Sequence, residues 1–311
     1  MSKVEIKGLN RRWVCITGCD SGFGNLLAKN LDSKGVNVIA GCLTEKGATD
    51  LRSQTSSRVK TIIVDITDKE SVARAFESTK KYVGDDGLWG LVNNAGVMPN
   101  FAPAEWTTLD EYEAACKVNL FGTISMTLAF LPLLRQSRGR LVNVCSVVSS
   151  CGYPGISNYV ISKAGVKMFT ACLRRELMGS GVTAHSIEPG GFKTHITDKN
   201  RILNVWKKAY WSASQETRDF YGGNISNYVI DGIKVSERYV KGNPQDVADV
   251  MTHALLAKYP KMRYLVGPDA KVFFRLMSIL PEKFSDYVFA WPAPYGQKNA
   301  FLEDVTGTVK A

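Results

Sequence analysis

Tyr159 and Lys163 stand four residues apart, which on a helix sets a phenol and an ammonium one above the other on the same face. A phenol titrating near pH ~10 is a poor base at neutral pH. A cation held beside it favours the phenolate, so the pair suits general acid/base work. A solvated helix face carries the same pair, so its chemistry depends on what is assembled around it. Ser146 closes the apolar run Arg140-Leu141-Val142-Asn143-Val144-Cys145, which reads as a buried strand. Ligands of open parallel sheets bind beyond the carboxyl ends of the strands, so a hydroxyl there is placed to meet a substrate.

The elements that must position these groups begin with Trp13–Thr17, a short apolar strand running into Gly18-Cys19-Asp20-Ser21-Gly22-Phe23-Gly24. Phe23, Leu26, Leu27 and Leu31 follow at helical spacing, so a helix starts inside the glycine run. Strand, glycine turn and helix bring a pyrophosphate onto free N–H groups at the helix N-terminus. A second strand spans 36–40, with neither an acid nor an arginine directly after it to mark the cofactor. Asp20, in the phosphate loop, favours NAD and leaves NADP open. A third strand (61–64) leads into Asp65-Ile66 and a polar helix near 69–83. A fourth (88–92) leads into Asn93-Asn94-Ala95-Gly96, small enough for a ribose to pack close, or an ordinary Asn/Gly turn.

Residues 109–136 read as two helices. The second begins near Asn119, a candidate N-cap, with Leu120, Ile124, Leu128, Leu131 and Leu134 on its apolar face. The helix of Tyr159 starts near Asn158 and turns Val166, Phe169, Leu173 and Leu177 to the core. His185 falls inside a sixth strand (182–187) and reads as structural, and Glu188-Pro189-Gly190-Gly191-Phe192-Lys193-Thr194 leaves that strand. From 195 to 242 the chain is polar and aromatic without a clear period, as a substrate-covering lobe would be. A helix follows Asn243-Pro244, then a strand at 264–266. Segment 270–292 is aromatic and apolar, suited to a membrane surface or to packing on the core or a second subunit. No linker or repeat interrupts the chain, so one domain is expected over 1–311: a core at 12–195, the lobe, and the apolar C-terminal segment.

A hydrophobic share of 45% with 22% charged residues supports a large core. The net charge of +10 suits anionic partners such as nucleotide phosphates or acidic lipid headgroups. Its cations are scattered, so no nucleic-acid partner is expected. Seven cysteines without a C-x-x-C pair, and His185, His195 and His253 far apart, point away from disulfides and metal and toward a reducing compartment. The start, Met1 to Lys7, is too polar for a signal peptide, and no apolar stretch of ~20 residues suggests a membrane span.

Taken in order, Thr17-Gly18-x-x-x-Gly22-x-Gly24, Asp65, Asn93-Asn94-Ala95-Gly96, Asn119, Ser146, Tyr159-x-x-x-Lys163 and Pro189-Gly190 resemble the short-chain dehydrogenase/reductase superfamily. Closer likeness is to its retinol and hydroxysteroid dehydrogenase branch, through Gly18-Cys-Asp-Ser-Gly-Phe-Gly24, Cys42-Leu-Thr-Glu-Lys-Gly-Ala48, Gly87–Gly96, Leu131-Pro-Leu-Leu134, Pro189-Gly-Gly-Phe192 and Arg263-Tyr264. That branch includes D-3-hydroxybutyrate dehydrogenase. The resemblance implies an α/β fold, a Rossmann-type doubly wound parallel sheet of about seven strands flanked by helices. It implies Tyr159 as general acid/base, Lys163 lowering its pKa and binding the nicotinamide ribose, Ser146 holding the reacting oxygen and Asn119 a relay water. Gly18, Asp20, Ser21, Gly22, Phe23 and Gly24 would form the pyrophosphate turn. Asp65 and Ile66 would border the adenine, and Asn93, Ala95 and Gly96 the adenosine ribose. Pro189, Gly190, Phe192 and Thr194 would flank the nicotinamide.

The expected reaction is hydride transfer between NAD(H) and a retinol or hydroxysteroid, with 3-hydroxybutyrate as the alternative and a non-catalytic nucleotide-binding scaffold as a reading of another class. A homodimer through the helices near 119 and 158 is a further implication. Relatives of this branch usually start with a hydrophobic membrane anchor, whereas residues 1–7 are polar here. The expectation is a cytoplasmic protein, peripheral on the endoplasmic reticulum membrane. The loop Ser149-Ser-Cys-Gly-Tyr-Pro-Gly155 is nearer in character to 11β- and 17β-hydroxysteroid enzymes than to retinol enzymes.

Overall fold

The computed structural model describes residues 5–221 and 242–290. The part of the lobe at 222–241, and Trp291, lie outside the described residues. Strands β1 (Trp13–Thr17), β2 (Asn37–Cys42), β3 (Val59–Ile63), β4 (Gly90–Asn93), β5 (Arg140–Val144), β6 (Thr183–Pro189) and β7 (Arg263–Val266) form one sheet in the order 3-2-1-4-5-6-7. Every pairing is parallel. The order reverses beside β1, which places a crevice between the carboxyl ends of β1 and β4.

Side-chain alternation divides the core between the two faces of the sheet. Val14 and Ile16 of β1 pack with helices α1 (Gly22–Ser33), α2 (Glu45–Arg52) and α9 (Pro244–Leu256). Cys15 points the other way, to α3 (Lys69–Val83), α5 (Thr123–Ser137) and α6 (Ser157–Glu176). Both faces are covered by helices, so the doubly wound sheet expected from the sequence is what forms.

The stretch expected to hold two helices is one continuous rod. α4 (Leu109–Cys116) passes through a π-helical segment, Lys117–Gly122, directly into α5. Asn119 is therefore no N-cap. It sits inside the π segment, buried, with its side chain bonded to Val97 beyond β4 and to Ser162 of α6. Such single π turns carry an extra residue per turn and reset which side chains face inward. The buried face of α5 is accordingly Thr123, Met126, Thr127, Phe130, Leu133 and Leu134, while Leu128 is exposed. Two buried threonines disguised that face in the sequence; Thr127 is satisfied by the Thr123 carbonyl and by Asn93. The rod from Leu109 to Ser137 is long and apolar enough to cross a membrane by length and composition, but its inner face packs in the sheet core.

The lobe also has more order than its sequence suggested. α7 (Lys199–Ser212) and α8 (Gln215–Tyr221) are helices, with Asp198 capping the first. Trp206 and Ala209 bury against Trp106, which also meets Tyr210 and Tyr221 edge-on. Interleaved lysine, arginine and asparagine hid this short apolar stripe. Beyond β7 the chain makes a π turn at Ala270–Phe274, then α10 (Arg275–Met277) and α11 (Glu282–Phe289). Only Ala270 and Met277 of this segment are buried.

Candidate active site

At the crevice beside β1 the backbone is shaped by its glycines. Gly18 has φ +71°, and a Cβ there would lie 2.8 Å from Ala95 Cα, so the turn presses onto the end of β4. A Cβ on Gly24 would lie 2.5 Å from the Gly18 carbonyl oxygen, which lets α1 start directly against the turn. Thr17 and Asn94 lock the two strand ends together. The Asn94 and Ala95 amides donate to Thr17 Oγ1, each at 3.1 Å, and Asn94 Nδ2 donates to the Thr17 and Gly18 carbonyls. α1 begins with no acidic residue in its first turn, and its N-cap Ser21 makes no capping bond. A Cβ at Gly22 would meet nothing within 4 Å. Open space before an uncapped helix N-terminus fits a pyrophosphate.

Asp20 does something the sequence did not reveal. Its carboxylate accepts from the Leu43 amide at 2.8 Å, the Thr44 amide at 3.0 Å and the Thr44 hydroxyl at 2.7 Å. A Cβ on Gly47 would collide with it. The acid absent from the end of β2 is thus supplied from the phosphate loop.

The other candidates divide by where their side chains go. Asp65 folds back on the Thr67 amide and hydroxyl, and Ile66 is buried beneath Gly122. Asn93 points away from the crevice, donating to Thr127 and Asn143 inside the core, so only its backbone borders the site. Phe192 is fully buried, edge-on to Phe23. Its ring is a wedge under the turn, not a wall of the crevice. Gly190 has no room for a side chain because the Asp269 carboxylate lies there, accepting from the Gly191 amide at 2.7 Å. Asp269 is 78 positions from Gly191 and no spacing signal announced it. Thr194 opens a short turn closed by Thr197.

At the ends of β4 and β5 four side chains converge. Asn119 accepts from the Val97 amide at 2.7 Å and donates to the Val97 carbonyl and to Ser162 Oγ. Gly96 lies against both Asn119 and Lys163, where a Cβ would sit 3.1 Å from Asn119 Oδ1 and 3.2 Å from Lys163 Nζ. Lys163 is buried and donates to the Val144 carbonyl at 2.9 Å. Ser146 is the side chain whose hydroxyl favours the Tyr159 phenolate.

Burial governs the titration of this group. The Tyr159 phenol is pushed up to about 12 by desolvation, against the downward pull of the Ser146 hydrogen bond. Lys163 is pulled down to about 8, again by burial. The expectation that the lysine lowers the phenol's pKa is not met in the chain alone. The ammonium lies 5.9 Å from the ring centroid and is directed at a strand carbonyl, so desolvation wins.

The short chain dehydrogenase family model matches residues 12–203. This chain belongs to the short-chain dehydrogenase family. It is 44% identical over 286 residues to retinol dehydrogenase 7 of Rattus norvegicus, spanning 92% of this chain and 90% of that protein. It is 42% identical over 291 residues to the Homo sapiens 17-beta-hydroxysteroid dehydrogenase type 6, spanning 93% and 92%. A short chain dehydrogenase from Burkholderia cenocepacia, solved in complex with NADP, shares the fold with a TM-score of 0.68 at 23% identity, over 90% of this chain and 98% of that one.

The protein is therefore an NAD(P)-dependent alcohol dehydrogenase. The bound dinucleotide supplies or accepts the hydride. The dehydrogenase's own residues present a phenol, a serine hydroxyl and a buried ammonium at one strand end, a set able to hold a hydroxyl or carbonyl oxygen and to move one proton. Among the described residues no cluster of His, Cys, Asp and Glu is spaced to hold a metal.

Proposed function

We propose that this dehydrogenase oxidises a hydrophobic lipid alcohol of the retinoid or hydroxysteroid class, or reduces the matching carbonyl, using NAD(H). What carries the reading is the apolar wall around the reacting phenol. Met98, Val147, Val148 and Ile156 are buried there, and Tyr159 packs among them with Phe101, Ile202 and Leu265. Such a wall suits a lipid ring system, and none of these lining residues offers a small hydroxyacid a charge partner. Arg201 of the lobe is already donating to the Met98 and Ile196 carbonyls. Relatives named for retinol and for 17-beta-hydroxysteroid support the same class.

In this reading Ser146 steadies the alcohol oxygen, Tyr159 takes its proton, and Lys163 holds the nicotinamide ribose. Asn119 fixes the strand end that a relay water would bridge. Asp20 puts a negative charge at the end of β2, where an NADP 2′-phosphate would be repelled, which supports NAD. The described part of the lobe, α7 and α8, covers the substrate. Phe121, Leu128, Ile161 and Met168 leave apolar groups exposed on the π segment, α5 and α6, and these support a homodimer through those helices. We place the protein on the cytoplasmic side of the endoplasmic reticulum membrane, held peripherally by its C-terminal segment.

The test is a panel of all-trans-retinol, 3α-, 11β- and 17β-hydroxysteroids and 3-hydroxybutyrate, with NAD and NADP in parallel and reduced cofactor as readout. Turnover is expected with at least one retinoid or steroid and faster with NAD. Turnover of 3-hydroxybutyrate alone would overturn the substrate class.

A further inference from the structure

Behind the reacting groups lies a charged cluster that the chemistry above does not use. Glu188, the penultimate residue of β6, is fully buried. Arg263 of β7 grips it with both arms, Nε to Oε1 at 2.8 Å and Nη2 to Oε2 at 2.6 Å. Lys167 of α6 approaches Oε2 at 3.5 Å, and Ser186 Oγ donates to Oε1 at 3.3 Å. A buried carboxylate is tolerable only when matched in this way, and a bidentate guanidinium is the strongest match available.

Both cations also reach a third partner. Arg263 Nη2 donates to Ser150 Oγ at 3.2 Å, and Lys167 Nζ donates to the same oxygen. Ser150 is the last residue of the 3-10 turn Val147–Ser150 that follows Ser146, and Ser149 of the same turn donates back to the Ser146 carbonyl. The cluster therefore joins three parts of the site. One is the turn carrying Ser146. Another is α6, with Lys167 one turn beyond Lys163 and two beyond Tyr159. The third is the exit of β6, where Pro189 and Gly190 follow Glu188 directly.

We propose that Glu188, acting through Arg263, Lys167 and Ser150, is a positioning residue that fixes Ser146 against Tyr159. The inference rests on the assignment of Ser146 and Tyr159 as the reacting pair, not on the identity of the lipid. Glu188, Arg263, Lys167 and Ser150 make their side-chain bonds to one another and not to the Tyr159 phenol or the Lys163 ammonium. What they set is distance, and a misplacement of about 1 Å in such a pair costs on the order of 10²-fold in rate.

Two variants test it, on any alcohol the parent enzyme oxidises. Ser150→Ala removes the oxygen both cations hold and leaves the buried ion pair in place, so folding is retained. The expected result is a kcat lowered about 10-fold or more with KM for NAD within about twofold, and with faster amide hydrogen exchange confined to residues 146–152. Glu188→Gln is expected to lower kcat further and to loosen 189–192 as well. Parent kcat in Ser150→Ala, or a kcat loss that moves in step with melting temperature and cofactor KM, would overturn the proposal. Exchange is read without substrate: loosening at 146–152 with an unchanged kcat would fault Ser146 as a reacting group, whereas no loosening would fault the tie itself.

Discussion

At the scale of single residues, desolvation drives the pKa values of two neighbouring groups apart, the phenol upward and the ammonium downward. Tyr159 is driven to about 12 and Lys163 to about 8, both by loss of water. On the proposed roles oxidation needs the phenolate, which the oxidised nicotinamide would favour together with a Lys163 ammonium brought round to the phenol when the dinucleotide is bound. The phenolate fraction rises with pH while the ammonium fraction falls above about 8, so kcat/KM for oxidation should rise from neutral pH and level off near pH 8. Reduction uses the protonated phenol and should be flat through the neutral range. A pH profile in both directions checks this; an oxidation rate independent of pH between about 6 and about 8 would contradict it. Tyr159→Phe keeps the ring packing and removes the phenolic hydroxyl that would exchange the proton. It should cost at least about 10²-fold in kcat with NAD binding retained, and parent turnover in that variant would remove Tyr159 from the mechanism.

At the scale of elements, β6 carries both the site's exit loop and a second buried titratable group. His185 donates from Nδ1 to the Lys261 carbonyl at 2.6 Å and accepts at Nε2 from Thr183 at 2.8 Å, which fixes the neutral ring. Burial lowers its pKa to about 4. Between pH 6.5 and 4 the unfolded chain therefore binds a proton that the folded chain refuses, so stability falls as pH falls through that window, by about 3 kcal/mol at most. His185→Phe should flatten the dependence of melting temperature on pH there. An unchanged slope would assign the acid sensitivity to another group. The strand placement of His185 was legible because Val182, Ala184 and Ile187 frame it in a short segment between turn residues. So were the glycine turn, Ser146 at a strand end and Tyr159 above Lys163, since each depends on local spacing. Three features were not legible, and each depends on contacts distant in sequence. Asn119 lies in a π turn that periodicity cannot distinguish from a helix start. Asp20 supplies an acid to a strand end 23 positions away. Glu188 finds its guanidinium 75 positions on.

At the scale of the whole molecule, the proposed membrane contact makes the C-terminal segment the route by which a poorly soluble alcohol would reach Tyr159. Val272 is 71% exposed and Ile279 72%, with Leu276, Phe284 and Tyr287 exposed beside them. Lys271, Arg275 and Lys283 are interspersed with these apolar groups. Phe274, on the inner side of the same turn, packs in the cluster that surrounds Tyr159. The face is thus apolar and basic outside and continuous with the substrate wall inside. Each large side chain transferred from water into an acyl layer contributes about 2 kcal/mol, and each basic residue about 1 kcal/mol near an anionic surface. A double change, Val272→Glu with Ile279→Glu, removes two of the most exposed apolar groups and reverses local charge. It should weaken co-sedimentation with phosphatidylcholine/phosphatidylserine vesicles at least about tenfold, equivalent to about 1.4 kcal/mol, and raise KM for a vesicle-borne lipid alcohol. With a short water-soluble alcohol the same variant should match the parent, because neither side chain touches the phenol, the ammonium or the dinucleotide crevice. Equal vesicle binding by parent and variant would move membrane contact to another surface, and equal loss of activity on both substrates would mean that the segment supports the fold and not the route of entry.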